Sequence, residues 1–299
     1  MIVITGANGH LGRRLLRQLD GRRELRAVVR SERAARQVAA LGLRHPVDVR
    51  VADYLDADAM TQALTGASHV VHLVGIIKES STSSYAQAHE QTTEVLCTAA
   101  AAAGVSRVVY LSILGSRPDS ANACLASKGA AEAALMQAPT PALVVRVPMV
   151  LGEGDYASAA LGRRAGKGWN VLLRGASLEQ PIYADDVIQA IVAGTSAQSL
   201  DNVAVDLAGP TSLTRADLTR RAAAVVGRRT RIFSVPLGLG MVLGFVLEWL
   251  MANPPVTRTM LKVLDHDDRV DAGPACRILG IDLTELDVAL ARCLAPTPE

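Results

Sequence analysis

The sequence predicts an α/β fold, a doubly wound parallel sheet followed by a smaller C-terminal α+β lobe, on three observations. Mostly apolar runs at 2–4, 25–29, 47–52, 69–75, 107–111 and 142–147 read as strands covered on both faces. Helix-forming segments at 32–41, 57–64 and 86–103 alternate with them, a rhythm that calls for parallel strands joined by crossover helices. Past Val150 the rhythm loosens into Gly152-Glu153-Gly154-Asp155, a helix over 156–165, and Gln180-Pro181-Ile182-Tyr183-Ala184-Asp185-Asp186-Val187. A sheet domain is therefore expected over 1–150. A substrate-side lobe follows over 151–299, with parts returning to the main sheet.

The first element sets the chemistry. Residues 2–4 run into Thr5-Gly6-Ala7-Asn8-Gly9-His10-Leu11-Gly12, and 13–19 then read as a helix. Strand, glycine turn and helix in that order form the Rossmann-like signature of a dinucleotide site. Gly6 permits the tight turn, Gly9 lets backbone approach a pyrophosphate, and Gly12 lets helix and strand pack closely. Asn8, His10 and Leu11 complete the turn, and the helix N-terminus offers free N–H groups and a positive dipole end. Arg30 stands at the end of the second strand, with Arg33 close behind. A carboxylate there would bind a ribose 2′-hydroxyl, whereas a guanidinium pairs with a 2′-phosphate, so NADP(H) is expected over NAD(H). Asp53 and Tyr54 follow the third strand, where Asp53 can accept a hydrogen bond from adenine. Leu73, Val74 and Gly75 end the fourth, and Gly75 suits close passage of the cofactor.

Composition narrows the partners. The 299 residues are 20% charged with a net charge of +2 and no long single-sign run. Arg13, Arg14, Arg17, Arg22, Arg23 and Arg26 gather beside the phosphate turn, and read as a solvated helix face, not a nucleic-acid surface. Cys97, Cys124, Cys276 and Cys293 lack zinc or disulfide spacing, and His69 and His72 have no accompanying carboxylates, so no metal is expected. Strand begins at the first residues, so no targeting peptide is expected, and the cytoplasm follows as the compartment. Residues 235–252 are apolar nearly all round but carry Pro236, three glycines and Glu248. They are expected to pack as a helix in the C-terminal lobe, with a membrane surface or protein partner as the alternative.

Taken in order, the motifs resemble the atypical or extended short-chain dehydrogenase/reductase superfamily over nearly the whole chain. They are Thr5-Gly6-x-x-Gly9-x-x-Gly12, Val105-Ser106-Arg107-Val108-Val109-Tyr110-Leu111-Ser112, Ser127-Lys128-Gly129-Ala130-Ala131-Glu132, Arg146 through Gly152-x-Gly154-Asp155, and Tyr183-Ala184-Asp185-Asp186-Val187. Val71-His72-Leu73-Val74-Gly75-Ile76-Ile77 and Asn253-Pro254-Pro255-Val256-Thr257 are most similar to the branch of the NADPH-binding accessory subunit of respiratory complex I and its bacterial relatives.

The resemblance implies a site of Ser plus Tyr-x-x-x-Lys. Tyr is the acid/base, Ser positions a carbonyl, and Lys holds the nicotinamide ribose and lowers the Tyr pKa. Ser112 and Lys128 match, and Val147 at the end of the sixth strand joins the cofactor-binding set. The Tyr position is Cys124. A thiol is a shorter and weaker hydrogen-bond donor than a phenol. Tyr85, Tyr156 and Tyr183 are the candidates to replace it in space, with Tyr183 expected to pack at its strand end. The expected function is that of an NADP(H)-dependent oxidoreductase on a small carbonyl or quinone-like substrate, or another apolar ligand. A non-catalytic cofactor-binding accessory or assembly protein is the alternative. A nucleotide-sugar epimerase is weaker, because that chemistry leans on the missing Tyr.

Overall fold

The computed structural model describes residues 1–196, 202–236, 238 and 267–294. The chain forms two compact units, Met1–Arg146 with Ile188–Val205, and Val147–Val187 with Asp206–Glu299. Except for Val235, Pro236 and Gly238, the apolar stretch at 235–252 lies outside the described residues, as does 253–257. Among the described residues, no helix is long and apolar enough to cross a membrane.

The first unit is built on strands β1 (Ile2–Thr5), β2 (Leu25–Val29), β3 (Asp48–Val51), β4 (His69–His72), β5 (Arg107–Ile113) and β6 (Ala142–Val147). A further strand, Val203–Asp206, lies outside β6, and the seven run in the order Val203–Asp206, β6, β5, β4, β1, β2, β3. β1 pairs in parallel with β2 on one side and β4 on the other, Ile2 facing Leu25 and His69. The order of connection reverses between β1 and β4, and in such sheets the crevice beyond the strands' carboxyl ends at that reversal takes the ligand.

Helices α1 (His10–Leu19), α2 (Glu32–Ala39), α3 (Ala57–Leu64), α4 (Thr92–Ala102) and α5 (Ala123–Gln137) supply the crossovers. Three of them start on side-chain caps that satisfy first-turn N–H groups. Ser31 accepts from Ala34, Asp56 from Asp58 and Ala59, and Asn122 from Cys124 and Leu125. Val3, Met60, Leu64, Val70, Leu96, Val108, Leu135 and Val144 fill one contiguous core. Each large side chain buried there contributes about 1.5–3 kcal/mol relative to exposure.

Two elements differ from expectation. The helix expected over 86–103 divides into a π-helical segment, Ala86–Gln91, and α4. Wider turns of this kind recur at functional sites. The fourth strand stops at His72 and not at Gly75, because Leu73 passes across the β1 turn. A Cβ on Gly6 would stand only 3.0 Å from the Leu73 carbonyl carbon and oxygen.

The second unit is a set of small pairings around helices Tyr156–Ala165, Arg215–Val225 and Leu286–Leu294. Val150–Leu151 pairs with Ile182–Tyr183, Leu178–Glu179 with Leu213–Thr214, and Trp169–Leu173 with Arg231–Val235. Leu151, Leu161, Leu218, Leu286 and Leu290 make its core. Asp186 is buried and accepts from the Thr284 N–H and hydroxyl at 2.8 and 2.7 Å, tying the start of helix Ala184–Ser196 to the segment before the last helix. Buried Arg215 and Glu179 pair at 2.7 Å.

Candidate active site

At the end of β1 the chain turns through Gly6, whose φ of +69° lies in the left-handed region that favours glycine. The Gly9 N–H closes the turn on the Gly6 carbonyl at 2.9 Å. Gly9 is the N-cap of α1, is exposed, and has no side chain to occupy the first-turn N–H groups. No acidic residue stands in that turn. The first N–H groups of a helix have no acceptor within it, so the turn presents backbone donors and a positive dipole end outward, as a pyrophosphate requires. Gly12 is buried, and a Cβ there would lie 2.7 Å from both the Gly6 and Ala7 carbonyl oxygens. Its lack of a side chain therefore lets α1 sit on the turn itself.

The rim of the turn is polar. Asn8 donates to Gln37 at 3.1 Å, His10 and Leu11 open α1, and Arg30 stands exposed just past β2. Asp53 is exposed and accepts from its own Leu55 N–H at 3.0 Å. Tyr54 differs from its expected place among direct ligand contacts: it is buried, and its hydroxyl accepts from the Gly6 N–H at 2.9 Å while donating to the Val28 carbonyl at 2.8 Å. Burial above all pushes that phenol up to about 12, so it stays protonated and works as a strut between the turn and β2.

The second half of the site is a cluster of side chains beside the end of β4. Cys124 and Lys128 lie one turn apart on α5, and both are buried. The Lys128 Nζ donates to the Tyr110 hydroxyl at 3.1 Å and the Leu111 carbonyl at 3.0 Å, and stands 4.4 Å from the centre of the Tyr110 ring. An ammonium has three donors, and the Nζ also stands 3.2 Å from where a Cβ on exposed Gly75 would be. Burial lowers this lysine to about 8. Ser112, buried on β5, shares a 3.4 Å hydrogen bond with Ser116. The Cys124 thiol makes only a long contact, 3.9 Å to the Ile76 carbonyl, and burial pushes it up to about 11. Val147 is buried at the carboxyl end of β6.

The sequence reading missed His89. The π-helical segment aims its ring, fully buried, at the loop after β4. The Ile76 N–H donates to Nε2 at 3.1 Å, so the proton sits on Nδ1, which donates to Ser127 at 2.8 Å. Ser127 in turn donates to the Cys124 carbonyl at 3.0 Å. Burial, with the Lys128 charge second, drives His89 down to about 3, and the ring is neutral. Tyr85 stacks on it with ring centres 5.7 Å apart, and donates to the Ile77 carbonyl at 3.0 Å. Of the other candidate phenols, Tyr156 is 73% exposed, and Tyr183 closes its strand in the second unit with its hydroxyl on Glu153. His72 is bonded to Thr5 at 2.7 Å and stacks on Tyr110. The Ala-rich composition around His89 gives no hint of this, because the ring reaches Ile76 and Ser127 only through tertiary placement.

Comparison with known proteins agrees with this geometry. Residues 6–168 match the family described as NAD(P)H-binding. Ceramide reductase of Caulobacter vibrioides is 30% identical over 79% of this chain and 74% of its own length. NADH dehydrogenase [ubiquinone] 1 alpha subcomplex subunit 9, mitochondrial, of Arabidopsis thaliana is 26% identical over 84% of this chain and 64% of its own. The triphenylmethane reductase of Citrobacter sp., solved with NADP(H), has the same fold at a TM-score of 0.77, with 19% identity over 98% of this chain and all of that one. With a glycine turn built for a dinucleotide and a matching family model over more than half its length, the chain belongs to the NAD(P)H-binding family.

Proposed function

We propose that this protein is an NADP(H)-preferring reductase of a carbonyl or quinone-like group on a largely apolar molecule. The observation that carries the reading is the buried Lys128 held beneath exposed Gly75, next to the crevice where the glycine turn receives a pyrophosphate. When bound, the nicotinamide supplies the hydride. Gly6, Gly9 and Gly12 shape the turn, the N-terminus of α1 binds the pyrophosphate, and Arg30 pairs with the 2′-phosphate. Lys128 steadies the nicotinamide ribose with the donor not engaged by Tyr110 and Leu111. Ser112 orients the carbonyl of the substrate. The reductase names of two similar proteins support the reaction class, and ceramide reductase supports an apolar substrate.

Cys124 in the expected phenol position favours a second reading, a cofactor-holding accessory protein, and similarity to a respiratory complex I subunit supports it. One measurement separates the two. Purified protein is given NADPH with a panel of ketones, long-chain keto-lipids and quinones, and oxidation is followed at the nicotinamide absorbance. Saturable oxidation with any of them supports the reductase. Tight NADPH binding with no turnover across the panel gives the accessory reading the lead.

A further inference from the structure

Position 124 lacks the phenol, but a phenol from another element stands beside it. Tyr85 precedes the π-helical segment, is buried, and is close enough to Cys124 for a thiolate there to act on its ionisation. Both side chains converge on consecutive carbonyls of the loop after β4, the Cys124 thiol on Ile76 and the Tyr85 hydroxyl on Ile77. The ring of Tyr85 stacks on His89, and the His89 Nε2 lies 3.4 Å from the Cβ position of Gly75, where Lys128 also points. The hydrogen bond from the Tyr85 hydroxyl is half-buried, and its acceptor belongs to Ile77, a residue that is 64% exposed. Lys128, Gly75, His89, Tyr85 and Cys124 therefore form one continuous cluster within the first unit.

We infer that Tyr85 is the proton donor of this site, supplying from the π-helical segment the phenol that α5 lacks at Cys124. The inference rests on the reductase reading. In the step, the substrate's C=O π bond breaks as its carbon gains the hydride supplied by NADPH. Its oxygen takes the proton from the Tyr85 hydroxyl, which leaves the Ile77 carbonyl to make that contact. The resulting phenolate recovers a proton from solvent. Burial, then the neighbouring Cys124 and Glu79, push the Tyr85 phenol up to about 12, so it carries its proton throughout the neutral range. His89, neutral and pinned between Ile76 and Ser127, fixes the ring that carries it.

Two measurements test this. In protein labelled with ¹³C at the tyrosine ring, the resonance assigned to Tyr85 by its loss in Tyr85→Phe should shift when NADP⁺ is added. An unmoved resonance overturns the proposal whatever the turnover. In the oxidation assay, Tyr85→Phe should keep the melting temperature and NADPH affinity while losing about 10²-fold or more in kcat, the usual share of general acid catalysis. An intact rate in Tyr85→Phe overturns Tyr85 while leaving the reductase reading in place. Absence of turnover in the wild-type protein removes the reductase reading, and the donor role with it. Should Tyr85→Phe be unstable, Tyr85→His decides, since it keeps a ring on His89 and a titratable donor. Partial activity with a new limb in the pH profile below the ordinary histidine range, the direction in which burial and Lys128 move His89, supports the proposal. Cys124, Glu79, His89 and Lys128 surround that position in both proteins. A profile identical to that of the wild type overturns it.

Discussion

The glycine turn and the Lys128 cluster face the same crevice but are built in opposite ways. At the turn, function comes from backbone: Gly6, Gly9 and Gly12 remove side chains so that N–H groups can meet a ligand. At the cluster it comes from side chains gathered out of the π-helical segment, β5 and α5, held by buried and half-buried hydrogen bonds. The first arrangement tolerates almost no added volume. The second is closely packed as well, but it depends above all on which groups carry protons. Substitutions at the turn should therefore act through sterics, and substitutions or acid at the cluster through charge.

The largest effect is expected at Gly12. Gly12→Val would drive a branched side chain into two carbonyl oxygens that already lie 2.7 Å from the Cβ position. Overpacking of this kind costs about 1–3 kcal/mol, and here it should displace the turn. Calorimetry should show no NADPH binding, and the melting temperature without cofactor should fall by several degrees. Gly9→Ala makes the opposite case: Gly9 is exposed with φ at −66°, and its Cβ would meet only the Gly6 carbonyl, at 3.1 Å. It should lower NADPH affinity while leaving the melting temperature nearly unchanged. Equal loss of stability in both variants would break the idea that the two glycines serve different ends.

Acid should find the cluster. His72 and His89 are buried and neutral, each held near 3, mainly by burial. The unfolded chain takes up protons on both below about 6.5 while the folded chain does not, so stability is lost as pH falls through that value. At pH 5 the loss is roughly 2 kcal/mol per histidine. Urea unfolding at pH 7.5 and pH 5 should show it, and His89→Gln should reduce the difference by about half. A pH-independent midpoint would mean that these rings are wet or already charged.

The same contrast explains what could be read from the sequence. Thr5-Gly6-x-x-Gly9-x-x-Gly12 was legible because glycine roles are fixed by local backbone, and strand alternation was enough for the parallel sheet. The side-chain cluster was half legible: the Ser112 and Lys128 spacing was readable, but His89 and Tyr85 reach it only through tertiary placement. Nothing local distinguishes Tyr85 from Tyr156 in the sequence, yet one is buried against His89 and the other exposed. Tyr54 is a subtler case: the sequence placed it after β3 among the cofactor-binding residues, and only the tertiary structure shows its hydroxyl joining Gly6 to Val28.

A smaller effect is expected at Arg30, on the rim of the turn where a side chain and not backbone would meet the ligand. Arg30→Ala should shrink the preference for NADPH over NADH by about 1–3 kcal/mol, the range for a charge-assisted contact. Calorimetry with both cofactors measures it directly. Equal affinity of the unaltered protein for both would place the discrimination elsewhere.

The smallest effect is expected at Cys124, the position where the family pattern places its acid. The thiol is buried, its contact with the Ile76 carbonyl is 3.9 Å long, and burial pushes it up to about 11, against a smaller opposing pull from Lys128. At neutral pH it is therefore a neutral thiol, and only about one molecule in ten thousand carries the thiolate that reactivity requires. Cys124→Ala removes one sulfur from a packed site, a change on the scale of a buried methylene, about 1 kcal/mol. The melting temperature should drop by a few degrees at most, NADPH affinity should hold, and oxidation of any active substrate should stay within about twofold. Cys124→Tyr asks the complementary question, because a ring at 124 would crowd Tyr85 and His89. It should cost stability without raising the rate if Tyr85 already donates the proton. A hundredfold loss in Cys124→Ala, with binding intact, would make the thiol part of the chemistry. A large gain in Cys124→Tyr would instead show that the site lacks a donor, and that the cluster around Lys128 is built to hold a cofactor without using it.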